Sequence, residues 1–178
     1  MSKILIVIDM QNDFITGSLG TPEARAIVTN VKRKIKECKE AGYEIYFTRD
    51  SHWKDYLKTF EGQHLPVEHC IWNTPGWQIT QELFESFYLN DDYDVINKST
   101  FGYISWEYYL PEETDVEEIQ ICGLCTDICV ISNALILRTL YPDAEIVCDA
   151  SCCAGTTPEM HEKALDVMKS CQIEVINE

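Results

Sequence analysis

Basic residues are scarce in this chain. Fourteen Lys and Arg stand against 30 Asp and Glu, for a net charge of −16. Nucleic acid and anionic membrane surfaces are bound by clustered cations, so neither is an expected partner. Histidine is scarcer still, at four residues, and His52, His64 and His69 fall in one stretch while His161 stands apart. Long apolar runs are missing too. The start, Met1-Ser2-Lys3-Ile4, leads into an apolar segment that ends at Asp9. That is too short for a signal-peptide core with its cleavage site, or for a membrane span. Repeats, low-complexity tracts and interdomain linkers are also lacking. These absences predict a cytoplasmic protein of one domain, residues 1–178, long enough for a substantial core.

What is present is an ordinary globular composition, 46% hydrophobic and 25% charged, with nine cysteines. An odd count without a secretory leader predicts reduced thiols. Most should act as small buried hydrophobes: Cys122 and Cys148 in strands, Cys38 and Cys171 in or at the end of helices.

Strand and helix patterns alternate. Strands are predicted at Ile4–Ile8, Tyr43–Thr48, Tyr93–Ile96, Glu118–Cys122, Glu145–Cys148 and Ile173–Ile176. Helices are predicted at Glu23–Ala41, Gln78–Phe87, about Asp127–Leu140 and Glu159–Ser170, the first with Pro22 near its start and Gly42 past its end. This alternation predicts a three-layer α/β/α sandwich around a mostly parallel, six-stranded, doubly wound sheet. One stretch, Asp50–Trp77, has no clear period. Loops of that length in a compact domain are commonly functional or ordered by a ligand.

Three chemically capable residues fall at or just after strand ends: Asp9, Lys98 and Cys129. In a parallel sheet these ends point the same way, so the three can meet in one cleft, where open α/β sheets place ligands. A carboxylate beside a thiol serves as its base, and an ammonium holds both anions. Cys129 is expected near a helix N-terminus, which would lower its pKa. In the long loop, Asp50 and His52 are two residues apart and share a face if the segment is extended. His69 returns later in the same loop.

Together these motifs resemble the isochorismatase-like cysteine hydrolases, in the branch that includes nicotinamidases. The matching segments are Ile8-Asp9-Met10-Gln11-Asn12-Asp13-Phe14, Thr48-Arg49-Asp50-Ser51-His52, Pro66-Val67-Glu68-His69-Cys70, Lys98-Ser99-Thr100-Phe101-Gly102 and Gly123-Leu124-Cys125-Thr126-Asp127-Ile128-Cys129-Val130. They cover nearly the whole chain in the family's order. The resemblance implies Cys129 as nucleophile, Asp9 as general base and then acid, and Lys98 as third catalytic member. It also implies a cis peptide at Leu124–Cys125, an oxyanion site at the Cys125 and Cys129 N–H groups, and Phe14 against a planar substrate. A divalent metal is implied at Asp50, His52 and His69. The commonest form of the family has another His where this chain has Tyr56. Some members use a later Glu, a role that Glu61 fits, with His64 as its competitor. Carboxylate, imidazole and water suit zinc, and an added carboxylate lets manganese or iron compete.

The expected function is a cysteine amidohydrolase acting on nicotinamide or a similar small planar amide, through a thioester, as a homo-oligomer. The alternatives are an N-carbamoyl or other amide hydrolase of the same family and, in a different class, a thiol redox protein using Cys122-Gly123-Leu124-Cys125.

Overall fold

The computed structural model describes residues 1–86 and 93–178. Its centre is a six-stranded sheet, parallel in every pairing, with strand order β3-β2-β1-β4-β5-β6. The strands are β1 (Ser2–Ile8), β2 (Glu44–Asp50), β3 (Asp94–Lys98), β4 (Val116–Leu124), β5 (Glu145–Ala154) and β6 (Glu174–Ile176). Helices flank the sheet: α1 (Asn12–Ile15), α2 (Pro22–Glu40), α3 (Phe60–His64), α4 (Ile131–Leu140) and α5 (Pro158–Ser170). Among the described residues, no helix is long and apolar enough to cross a membrane.

Local chemistry explains the elements. Ile4 to Ile8 are fully buried, as a central parallel strand covered on both faces requires. Helix α2 buries Ala24, Ile27, Val28, Val31, Ile35 and Cys38, the spacing of one helical face. Thr21 caps it by accepting the Ala24 N–H at 3.0 Å, and Pro22 takes the first turn, where a missing N–H costs nothing. Thr157 and Pro158 repeat the device at α5.

The topology creates the site. The chain lays down β1, β2 and β3 to one side, then crosses back to place β4 against the other edge of β1. The carboxyl ends of β1 and β4 are therefore the switch point, where an open α/β sheet leaves a crevice. Ile8 pairs with Gly123 there. Gly123 has φ +125°, and a Cβ on it would lie 2.1 Å from the Ile8 carbonyl oxygen, so glycine is required beside the residue preceding Asp9.

Three expectations need correction. The helix expected at Gln78–Phe87 is a short 3₁₀ segment, Gln81–Ser86, and Phe87 lies outside the described residues. The helix expected from Asp127 begins as a π-helical turn, Thr126–Val130, before α4. Strands β4 and β5 are longer than their apolar cores, reaching Leu124 and Ala154. The sheet thus delivers Gly123-Leu124 directly to the reactive turn.

Candidate active site

Asp9, Lys98 and Cys129 come together at this switch point. Asp9 follows β1 with φ 46°, a left-handed conformation uncommon for a non-glycine residue. Thr48 on neighbouring β2 holds it: the Thr48 hydroxyl accepts the Asp9 N–H at 3.1 Å and donates to Asp9 Oδ1 at 2.6 Å. Lys98 ends β3, and its ammonium lies 2.5 Å from Asp9 Oδ2. The same Nζ donates to Cys129 Sγ at 3.5 Å and to the Thr100 carbonyl at 3.1 Å. Asp9, Lys98 and Cys129 are 0%, 3% and 5% exposed. The Leu124–Cys125 peptide is cis.

Charge in this dry cluster is nearly balanced. Burial pushes the Asp9 carboxyl up, against the pull of Lys98. Burial pushes the Lys98 ammonium down, but the Asp9, Cys129 and Asp50 charges together hold it above its ordinary value. Burial first, and then Asp9, push the Cys129 thiol well up. The expectation of a lowered pKa at a helix N-terminus is therefore corrected. Cys129 sits inside a π turn, where loss of solvent and the Asp9 charge push the thiol up. One ammonium faces two acids.

The π turn also explains how the backbone is presented. The Cys125 carbonyl accepts from the Ile128 N–H and the Val130 N–H, both at 3.1 Å, skipping Cys129. Single π turns inside helices recur at functional sites. Asn133, fully buried on α4, donates to the Cys129 carbonyl at 2.8 Å and accepts from the Tyr103 N–H and the Trp106 indole. It ties the cysteine turn to the segment that follows Lys98.

A second cluster adjoins the first. One donor atom each from Asp50, His52, Glu61 and His69 lies within 4.8 Å of the others. His52 Nε2 is 2.9 Å from Asp50 Oδ2 and 3.6 Å from Glu61 Oε1; His69 Nε2 is 3.5 Å and 3.7 Å from the same two atoms. The His69 Nδ1–H donates to the Val67 carbonyl at 2.8 Å, which leaves Nε2 as the lone-pair nitrogen facing the cluster. His52 and His69 draw Asp50 well below the usual carboxylate range despite its burial, whereas burial pushes Glu61 up. Two imidazoles, two carboxylates and a fixed tautomer fit a divalent ion of the zinc, manganese or iron type.

Of the two alternatives, Glu61 lies in this donor group and His64 does not. His64 is turned away, its Nδ1–H bonded to the Phe60 carbonyl at 2.8 Å and its ring on Phe60. Tyr56 donates its hydroxyl to the Leu65 carbonyl at 3.0 Å. Its ring packs 4.6 Å from that of His52 and 4.9 Å from that of His69, so it buttresses both histidines. Phe14 is buried, with its ring centroid 5.6 Å from that of His69. Cys122 is fully buried inside β4, which removes the exposed thiol that disulfide exchange needs.

Sequence reading missed the supports. Gln11 donates its amide to the Asp50 and Trp77 carbonyls and accepts the Asp50 N–H at 2.7 Å. Asp13 accepts the Cys70 N–H at 2.8 Å, beside His69. The segment after β1 thus brackets both ends of the long loop. Thr48 had a signal, since it lies two residues before Asp50 and so on the same strand face.

The isochorismatase domain model matches residues 3–178. This chain belongs to the isochorismatase family. A curated relative, the nicotinamidase of Saccharomyces cerevisiae, is 24% identical over 219 residues, covering 98% of this chain and 99% of the relative. The crystal structure of nicotinamidase PncA from Bacillus subtilis is similar at 30% identity with a TM-score of 0.84, covering 99% of this chain and 100% of that one. The pyrazinamidase of Pyrococcus horikoshii, solved in complex with zinc, is 29% identical with a TM-score of 0.83, covering 100% of each chain. The six-stranded sheet flanked by helices is the architecture of this family.

Proposed function

We propose that this chain is a nicotinamidase-type amidohydrolase that cleaves nicotinamide, or a close planar amide, to the carboxylate and ammonia. The carrying observation is the buried set Asp9–Lys98–Cys129 placed against the Asp50–His52–Glu61–His69 donors. The family's nicotinamidase relatives support the substrate.

The resting cluster holds its mobile proton between Cys129 and Asp9, with the Lys98 charge fixed beside both. As the Cys129 sulfur bonds to the amide carbonyl carbon, Asp9 takes the thiol proton. The carbonyl oxygen becomes an oxyanion that the Cys125 and Cys129 N–H groups receive. Asp9 returns its proton to the leaving nitrogen, the C–N bond breaks, and ammonia departs from a thioester. Water then attacks the thioester, Asp9 takes its proton, and the C–S bond breaks to give the acid and the free thiol. Lys98 stays protonated throughout and keeps Asp9 aimed. Phe14 offers a ring face to a planar substrate. Asp50, His52, Glu61 and His69 would hold the ion, which when bound supplies a Lewis-acidic point that fixes the substrate's ring nitrogen or a water beside it.

Residues 1–178 act in this reading as one hydrolase domain, in the cytoplasm, as a homo-oligomer of the kind the resemblance implies. The test is ammonia release from a panel of small amides, nicotinamide first, with and without chelator. Turnover of nicotinamide that falls on metal removal is the expected result. Preference for an N-carbamoyl amine, indifferent to chelator, would move the chain to that other branch. Light scattering of the purified protein checks the oligomer, and a monomeric mass would remove it.

A further inference from the structure

His161, the one histidine outside the long loop, takes no part in the chemistry above, yet its ring reaches the turn that carries the nucleophile. Thr126 is the first residue of that turn and is fully buried. Its hydroxyl shares a hydrogen bond of 2.7 Å with His161 Nδ1, from the first turns of α5. The next residue, Asp127, accepts from the Thr156 N–H at 2.8 Å and the Thr156 hydroxyl at 2.6 Å. Gly155 lets this connection come close: a Cβ there would lie 2.9 Å from Asp127 Oδ1 and 2.8 Å from the His161 backbone nitrogen. Two consecutive side chains, directly after the cis peptide, are therefore gripped by the short stretch that leads from the end of β5 into the first turn of α5.

The far end of the turn is held separately, by Asn133 at the Cys129 carbonyl. Between these two fixed ends lie the sulfur and the N–H of Cys129, and the Cys125 N–H stands just before the first of them. A π turn is a rare local departure inside a helix, so side chains that hold its two ends help keep it in one arrangement. A buried hydroxyl has few partners to choose from, so the loss of the His161 ring would let Thr126 rotate or shift to find another.

We propose that His161, acting through Thr126, is a positioning residue for the Cys129 nucleophile. This rests on the amidase reading for its kinetic arm only. The grip fixes where the thiol and the Cys129 N–H sit without touching the substrate. Small misplacements of reacting groups are costly, up to about 100-fold for 1 Å.

The experiment compares His161→Ala, His161→Asn, Thr126→Val and the double variant His161→Ala/Thr126→Val, in the full chain loaded with its metal. The readouts are kcat, KM, metal content and the rate at which iodoacetamide modifies Cys129, followed by peptide mass. An asparagine amide sits close to where Nδ1 of the ring does, so His161→Asn should keep most of the wild-type behaviour. His161→Ala should lower kcat about 10-fold or more. KM should move less than about threefold and metal content should stay unchanged, while the Cys129 alkylation rate departs from wild type. Thr126→Val should reproduce these changes, and the double variant should be no worse than either single one, because both remove the same bond. Wild-type alkylation and kcat in His161→Ala would overturn the proposal. So would additive losses in the double variant, or equal impairment in His161→Asn, which would mark a packing role. If the wild-type protein released no ammonia from any amide, the amidase reading would fall. The alkylation arm would still decide the grip.

Discussion

The two buried clusters at the switch point differ in how they handle charge. The Asp9–Lys98–Cys129 set carries its own cation: the Lys98 ammonium lies 2.5 Å from Asp9 and 3.5 Å from the Cys129 sulfur. The Asp50–His52–Glu61–His69 set gathers two carboxylates and two imidazoles, and the cation that acts on both carboxylates, Lys98, belongs to the first set. Asp50 is drawn down, and so kept anionic, by the two imidazoles beside it, His52 at 2.9 Å and His69 at 3.5 Å. The first set is arranged to move one proton among fixed charges. The second is arranged to hold a positive charge from outside. A cluster that balances itself suits chemistry, and one that does not suits ligation.

This division predicts that the clusters fail independently. Cys129→Ala should abolish turnover and leave about one divalent ion per chain in place, because no donor is lost. Asp9→Asn should lose about 10²–10⁴-fold in kcat and likewise retain the ion. Metal analysis beside kinetics decides it. Loss of metal in either variant would merge the two clusters into one.

From the other side, under the proposed reading in which an ion positions the substrate, His52→Ala should remove that ion and raise KM at least as much as it lowers kcat. Glu61→Gln should weaken metal binding about 10-fold or more in chelator competition, as changes close to a bound ion do. Tyr56→Phe should leave affinity near wild type, because the ring that supports both histidines remains. Tyr56→Ala should cost about 3–5 kcal/mol of stability through the cavity left behind. Equal affinities for Glu61→Gln and wild type would reduce the donor set to three.

Lys98→Met tests the charge balance directly. It leaves the Asp9 carboxylate buried without its cation, which costs about 3–5 kcal/mol while the carboxylate stays charged. Burial already raises Asp9 in the folded protein. A group whose folded pKa is raised contributes stability that is present at low pH and lost as pH rises through that value. Removing the opposing ammonium extends the rise. Denaturant unfolding in chelator should therefore show the variant closer to wild type at pH 5 than at pH 8. A penalty independent of pH would mean that Asp9 is held by Thr48 alone.

Much of this site was legible in the sequence because it depends on strand ends. Asp9, Asp50, Lys98 and Gly123 stand where apolar runs stop, and in a parallel sheet every such stop faces the same cleft. The pair Asp50 and His52 could be placed by side-chain alternation alone. What was not legible depends on contacts between distant loops. Nothing local in Gln11, Asp13 or Asn133 shows that each binds backbone elsewhere. Glu61 and His64 were inseparable in sequence because a short helix, α3, decides which of them turns inward. The π turn was illegible for the same reason. Its residues read as an ordinary helix start, and the Val130 N–H bond to the Cys125 carbonyl that widens the turn has no local sequence signal.

That last difference carries the smallest and most diagnostic prediction. A thiol at an exposed helix N-terminus would be alkylated quickly at neutral pH, ahead of the other cysteines. The thiol observed here is enclosed, and burial together with Asp9 pushes its pKa well up. Reactivity follows thiolate fraction and access, so Cys129 in the resting protein should label slowly at pH 7. Its rate should keep rising with pH beyond the range where an ordinary cysteine, near 8.5, levels off. Cys171, which is partly exposed at the end of α5, should label before it. Cys125 is partly exposed as well but pushed up to about 12 by burial, and should also lag. Peptide mapping after a timed pulse of iodoacetamide between pH 6 and pH 10 gives the order. Preferential labelling of Cys129 at pH 7 would mean that the thiolate is already formed at rest. The shared proton would then belong to Asp9, and Lys98 would hold the sulfur anion before the substrate arrives.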